Sequence, residues 1–426
     1  MNSKNLLAAL LLAACAPAHA GLEITVSGGE TAARPIAVVP FSQPADTGTN
    51  LADIIAADLA RSGQFQPLPP ADMLEKPSDA AQVNFRNWRV AAVDNVVVGQ
   101  LRRVGGKLTV RFQLLDVLRA STLATYDMQV PDPRRLRPVA HQIADFIYEK
   151  LTGVPGYFNS QIAYVAATGQ GPSRLFQIVV ADADGVNPVT VATSREPLMS
   201  PSWSPDRRQL AYVGFERSRS AVYIHTLATG ELRRFVQERG INGAPAWSPD
   251  GRELAVTLSF ERNPDIYVIN VATGARRQIT NHFAIDTEPA WSPDGRQIAF
   301  TSDRGGQPQV YVASAGGGEA RRVTFEGRQN LRPRYSPDGR SLVLVNVEGT
   351  SYRIGLLDLA SRAMRILSDG PLDESPSFAP NGAVVIYAAQ GRQGAELATV
   401  TVDGRIRQRL SQPGDVREPT WSTLIR

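Results

Sequence analysis

The second half of the chain repeats one pattern of apolar and polar positions. A proline and an aromatic residue lead into a polar turn, and a short apolar run follows it. The copies read "PSWSPDRR" (201–208), "PAWSPDGR" (245–252 and 289–296), "PRYSPDGR" (333–340), "PSFAPNGA" (376–383) and "PTWS" (419–422). The aromatic positions Trp203, Trp247, Trp291, Tyr335, Phe378 and Trp421 are spaced by 44, 44, 44, 43 and 43 residues. Pro sets φ for the turn and Asp-Gly supplies its geometry. The apolar runs after the turns are "LAYV" (210–213), "LAVT" (254–257), "IAFT" (298–301), "LVLV" (342–345) and "VVIY" (384–387). A third strand follows in each unit, such as "VYIHTL" (222–227) or "IYVINV" (266–271), and then a basic fourth, such as "RRQIT" (276–280). Four short strands in a repeat of this length predict the blades of a β-propeller.

The two ends of the array complete each other. It opens at "IAYVAA" (162–167), which matches the second strand of the other units, and closes at "PTWS" (419–422), a first strand with no second. The C-terminal strand is therefore expected beside Ile162–Val165, closing a six-bladed ring and removing the open edge between first and last blades. The propeller is expected over 159–426.

Residues 21–152 read differently. "RPIAVVPF" (34–41) is a continuous apolar run suited to a buried strand. "NLADIIAADLARSG" (50–63) has helical spacing between an Asn and a Gly, and "DPRRLRPVAHQIADFIYEKLTG" (132–153) runs as an amphipathic helix to Gly153. "KLTVRFQLLDV" (107–117) and "STLATYDMQV" (121–130) look like paired strands. The expected architecture is thus two-domain: an N-terminal mixed α/β domain (21–152), a linker at 153–158, and the six-bladed β-propeller.

Composition narrows the class. The chain has 426 residues, is 43% hydrophobic and 20% charged, and carries a net charge of +4. These are the proportions of a folded protein, and with no block of like charge there is no electrostatic footprint for nucleic acid. The first twenty residues read as a signal peptide: Lys4, the apolar "LLAALLLAA" (6–14), and "AHA" (18–20), with cleavage expected after Ala20. "LAAC" (12–15) also reads as a lipoprotein signal with Cys15 lipidated. Cleavage after Ala20 leaves no cysteine, hence no disulfide or thiol chemistry.

Catalytic signatures are sparse. The sequence has no GxSxG, GxGxxG or GxxxxGK[ST], and His141, His225 and His282 stand far apart with no HxxxH or HExxH spacing. No catalytic residue, cofactor or metal ligand is assigned. The turn carboxylates Asp206, Asp250, Asp294 and Asp338 read as turn chemistry, and the aromatic column as core. The functional signal lies in the loops entering each first strand: "TSREPLMS" (193–200), "GINGAP" (240–245), "AIDTEP" (284–289), "RQNLRP" (328–333), "PLDESP" (371–376) and "GDVREP" (414–419). All emerge on one face of the ring. They mix acids, amides and arginines with apolar tips, which suits protein recognition; the acids around the channel mouth also leave a bound cation open. "GLEITVSGGETAARP" (21–35) is a second candidate, a short alternating strand on a Gly-Gly joint that could add to a partner's sheet edge or be an ordinary edge strand of its own domain.

The ordered set "RPIAVVPF" (34–41), "NGAPAWSPDG" (242–251), "DTEPAWSPDG" (286–295), "AFTSDRGGQPQVY" (299–311) and "LDESPSFAPNG" (372–382) resembles the TolB family of the Tol-Pal system, over the whole length. The resemblance implies a monomeric, non-enzymatic periplasmic adaptor that maintains outer-membrane integrity and supports constriction of that membrane at cell division. It implies binding of Pal, the peptidoglycan-associated lipoprotein, through Ile241, Asn242, Gly243, Ala244, Asp286, Thr287, Glu288, Asp373 and Glu374, with peripheral attachment to the outer membrane through Pal. It also implies binding of TolA, an inner-membrane-anchored protein, through a mobile segment at 21–33 that includes Leu22, Ile24 and Val26. The competing classes are a propeller hydrolase or lyase with its site in the channel, and a propeller that binds peptidoglycan directly.

Overall fold

The computed structural model describes residues 23–26 (backbone only), 33–44, 47–130, 132–260, 263–391, 394–410 and 412–424. Strand β1 (Glu23–Val26) is followed by the α/β domain, in chain order β2 (Arg34–Val38), α1 (Leu51–Arg61), β3 (Phe65–Pro67), α2 (Phe85–Val90), β4 (Asn95–Val104), β5 (Lys107–Asp116), β6 (Ser121–Val130) and α3 (Leu136–Thr152). The sheet order is β3-β2-β4-β5-β6, with β2 parallel to both neighbours and the other pairs antiparallel. β2 reads as continuous apolar sequence because both its faces are covered. Ile36 and Val38 join the core under α1 and α3, and Ala37 joins the opposite core around Trp88. Asn50 caps α1, its side chain accepting from Asp53 N, and Gly153 ends α3 in the left-handed region at φ 76°.

The propeller has six blades of four strands each, and the sheet of the sixth is extended to five by β1. Blade 1 combines the C-terminal strand Asp415–Trp421 with Gln161–Thr168, Leu175–Asp182 and Val189–Ser194; Trp421 lies opposite Ile162. This is the closure the incomplete end repeats predict. Blades 2 to 6 have their first strands at Leu198–Trp203, Asn242–Trp247, Asp286–Trp291, Gln329–Tyr335 and Asp373–Phe378. The aromatic column packs between blades: Trp247, for example, joins a core formed by Ala211 and Val222 of blade 2 with Leu254 and Val256 of its own blade.

The Ser-Pro-Asp-Gly turns are closed by their own side chains. Ser248 Oγ donates to Asp250 Oδ1 at 2.6 Å and accepts from Glu253 N at 2.9 Å, while Asp250 Oδ1 also accepts from Arg252 N at 3.0 Å. The same set recurs at Ser204/Asp206, Ser292/Asp294 and Ser336/Asp338. The Ser248 hydroxyl and the Arg252 N–H hold the Asp250 carboxyl below its usual range. These aspartates are turn residues, as their spacing suggests.

Successive strands of a blade are antiparallel, so first-to-second and third-to-fourth connections share one face. The α/β domain sits on that face, against blades 1 and 6. Asn381 Nδ2 donates to Pro155 O at 2.9 Å, and Gln408 Nε2 to Arg61 O at 2.9 Å. Residues 153–158 form part of this seam. Tyr157 and Phe158 are buried, and Tyr157 lies edge-on to Trp421 at 5.7 Å. Gly156 passes so close to α3 that a Cβ there would fall 2.4 Å from Asp145 Cα. The loops entering each first strand open on the opposite face.

β1 extends the sheet of blade 6. It pairs antiparallel with Ile406–Leu410, Ile24 opposite Gln408 and Val26 opposite Ile406. The strand that alternation predicts thus joins neither a partner nor the sheet of its own α/β domain but the outer edge of a propeller blade.

Candidate functional site

Every first strand carries a bulge immediately before its proline. The residue there takes φ between 46° and 58°: Ser200, Ala244, Glu288, Arg332, Ser375 and Glu418. A non-glycine residue in this region is uncommon and costs on the order of 1 kcal/mol or more. Six at equivalent places are part of the design, because a bulge re-aims a side chain. All six residues line one cavity of about 40 Å³ in the channel.

Arg332 organises that cavity. Its Nε donates to Glu288 Oε1 at 2.9 Å, its Nη2 to Glu418 Oε1 at 3.1 Å, and its Nη1 to Ser375 Oγ. Its backbone N–H donates to Glu288 Oε2 at 2.9 Å, and Thr301 Oγ1 to the same oxygen at 2.8 Å. Burial alone would lower the guanidinium pKa; Glu288, Glu418 and Glu374 more than offset it, and the group is held above its ordinary value. Arg334 lines the same cavity, so two guanidiniums face the two glutamates there.

Outward from the bulge, side chains alternate as strand geometry requires. Three residues before the proline stand Leu198, Asn242, Asp286, Asn330, Asp373 and Val416, all buried. Asn242 Oδ1 accepts from Glu238 N at 2.7 Å and its Nδ2 donates to Ser220 O at 3.1 Å. Asp286 Oδ2 accepts from Arg304 Nη2 at 2.7 Å, and Asp373 Oδ2 from Gly370 N at 3.0 Å. Asn242 and Asp373 clamp their own loops from beneath, whereas Asp286 ties its strand to the connection between the second and third strands of the same blade through Arg304. Thr287, Gly243 and Glu374, one position on, are partly exposed, and Ala244 and Glu288 belong to the channel ring. Ile241 is 50% exposed, and Ile285 and Leu372 hold the matching place before blades 4 and 6 at 49% and 39%.

Two large residues on this face escape the repeat reading. Phe283 is 85% exposed, against His282 at 4.2 Å, and Phe325 is 57% exposed, flanked by Arg322 and Arg362 at 5.1 and 5.6 Å. Both follow a fourth strand, in "ITNHF" (279–283) and "VTF" (323–325), just upstream of the loops aligned on the proline. An aromatic in an otherwise polar loop is the signal that finds them. At the other candidate site, Leu22 lies outside the described residues, and Ile24 and Val26 lie in β1. The histidines are dispersed: His141 in α3 at the domain seam, His225 in the third strand of blade 2, His282 in the loop into blade 4.

A closed six-bladed propeller with an α/β domain on one face and a bulge-braced loop face on the other defines a bladed scaffold with its variable surface turned outward. The chain belongs to the TolB family of the Tol-Pal system. The "TolB amino-terminal domain" family matches residues 22–123 and the "TolB beta propeller domain" family residues 148–425. The chain is 59% identical over 415 residues to the Tol-Pal system protein TolB of Methylococcus capsulatus, covering 97% of each chain. It is 58% identical over 405 residues to that of Nitrosococcus oceani, covering 94% of this chain and 93% of the other. The crystal structure of TolB from Acinetobacter baumannii superposes with a TM-score of 0.86 at 38% identity, covering 95% of this chain and 100% of that one.

Proposed function

We propose that this chain is a periplasmic, non-enzymatic adaptor of the Tol-Pal system that maintains outer-membrane integrity and supports constriction of that membrane at division. Pal docks on the loop face and TolA takes the N-terminal segment. The observation that carries the reading is the row of exposed apolar side chains, Ile241, Phe283, Ile285, Phe325 and Leu372, on the face opposite the α/β domain. Aromatic and aliphatic anchors on rigid loops are what a protein interface requires. Ile241, Gly243, Thr287 and Glu374 touch Pal, Ala244 and Glu288 form the floor, and Asn242, Asp286 and Asp373 set the loop heights. The adaptor reading is also supported by the channel, whose Glu288 and Glu418 are both spent on Arg332.

The N-terminal segment acts by strand addition. β1 occupies the edge of blade 6 through a short backbone ladder, and such a strand is released and handed to another sheet at modest cost. TolA then binds Leu22, Ile24 and Val26 from the released state, and Pal occupancy biases release; by linkage, TolA biases Pal binding equally.

Two variants test the assignment. Thr287→Arg puts a long charged side chain among the apolar tips and is expected to weaken Pal binding at least about tenfold, with little change in melting temperature; unchanged affinity sinks the loop assignment. Deleting residues 21–33 is expected to abolish TolA binding in a pull-down and leave Pal binding within a few-fold. Loss of both, or retention of TolA, overturns the division of labour.

A further inference from the structure

Where α3 meets blade 1, a buried histidine faces two carboxylates. His141 is 3% exposed. Its Nδ1 lies 2.6 Å from Asp58 Oδ2, and a neutral ring that donates there carries its lone pair on Nε2, which has no hydrogen-bond partner among the described residues. A ring nitrogen of His141 and one carboxylate oxygen each from Asp182 and Asp184 lie within 4.8 Å of one another. We propose that His141, Asp182 and Asp184 form a divalent transition-metal site, suited to zinc, that clamps the α/β domain to the propeller.

The chemistry fits at three points. One imidazole and two carboxylates form a borderline N/O donor set, and zinc takes such ligands at about 2.0–2.2 Å in a tetrahedron completed by water. The tetrahedron wants ligand atoms about 3.3 Å apart, and the three atoms now lie within 4.8 Å of one another. A metal-bound imidazole almost always donates its other nitrogen to a carboxylate, which fixes the tautomer and raises its basicity; Asp58 already holds His141 in that way. Charge also favours a cation. Asp58, Asp182 and Asp184 are answered by two guanidiniums, Arg61 on Asp58 and Arg137 on Asp182 and Asp184, with Arg61 also 3.7 Å from Asp184. With His141 neutral, one negative charge stays unbalanced among these groups. Arg137 Nε and Asn187 Nδ2 both engage Asp182 Oδ2, so a metal approaching Oδ1 displaces neither; at Asp184, Oδ2 is held by Arg137 and Oδ1 accepts from Val186 N at 3.1 Å, so a metal there takes the remaining lone pair of Oδ1.

The ligands come from both domains, so metal binding is domain docking. Full-length mature protein, stripped with a chelator, is titrated with zinc and separately with cobalt. The wild type is expected to bind one ion per chain, to give the visible bands of four-coordinate cobalt, and to melt at a higher temperature with zinc. His141→Gln and Asp182→Asn are each expected to weaken zinc binding by about 10–100-fold and to lose the cobalt bands. Should His141→Gln fail to fold, Asp182→Asn, at a partly exposed position, carries the test alone. Absence of zinc binding by the wild type, or undiminished affinity in folded Asp182→Asn, overturns the proposal.

Discussion

Arg332 holds apart two glutamates that the ring geometry forces towards the same space. Glu288 and Glu418 reach the channel because bulges in blades 4 and 1 re-aim them, and Arg332 spans both from blade 5. An ion cluster of this kind is a weak source of stability when intact but costly to break, because the surviving charges stay desolvated. Arg332→Met is therefore expected to destabilise the protein by about 3 kcal/mol, read as a lower urea midpoint at unchanged slope. Adding Glu288→Gln and Glu418→Gln should recover most of the loss. A single variant as stable as the wild type would show that channel water already screens the pair. The pre-proline residues carry this design, yet in the sequence they read as unrelated letters: Ser, Ala, Glu, Arg, Ser, Glu.

At the scale of elements, the first turn of the array departs from the rest. Gly251, Gly295 and Gly339 each take φ 71° after the turn aspartate, and Arg207 takes φ 59° in the same place. The turn bonds are kept: Arg207 N donates to Ser204 O at 2.9 Å, as Gly251 N does to Ser248 O. A side chain in the left-handed region costs about 1–2 kcal/mol, and glycine gives back part of that as unfolded-state entropy. Arg207→Gly is expected to stabilise by about 0.5–1 kcal/mol, measured by urea unfolding; a loss of stability would mean that the Arg207 side chain supplies packing the turn needs. The turns and the ring closure were legible because they are local chemistry repeated at a fixed period. Asn242 and Asp373 were not legible as loop clamps, nor Asp286 as the partner of Arg304, because burial under a loop leaves no local mark on an amide or an acid. Phe283 and Phe325 lay just outside the repeat frame, and β1 showed its alternation but not which edge it would join.

Across the whole molecule, the two domains meet at a seam of ionisable groups, and Asp145 makes that seam sensitive to pH. The side chain reaches from α3 to the connecting segment, Oδ1 accepting from Phe158 N at 2.7 Å and Oδ2 from Asn159 N at 3.1 Å. Burial pushes its pKa from 3.8 up to about 7; the two backbone N–H groups pull the other way, and Asp58 adds to the rise. The folded protein therefore keeps a proton that the unfolded chain has released. Stability from this group is fully present below the unfolded value of 3.8, falls as pH rises, and levels off above about pH 7. Across that window the loss is on the order of a few kcal/mol at about 1.4 kcal/mol per unit. The seam also reaches the N-terminal strand, since Gln408 and Ile406, which meet the end of α1 at Arg61 and Gly63, lie in the strand that β1 pairs with. Asp145→Asn removes the titration and keeps one acceptor. The stability difference between wild type and variant, from urea unfolding across the range, should shift in favour of the variant as pH rises from about 5 to about 7 and hold constant above about 8. A difference that does not vary with pH would place the proton elsewhere and remove Asp145 from the account of the seam.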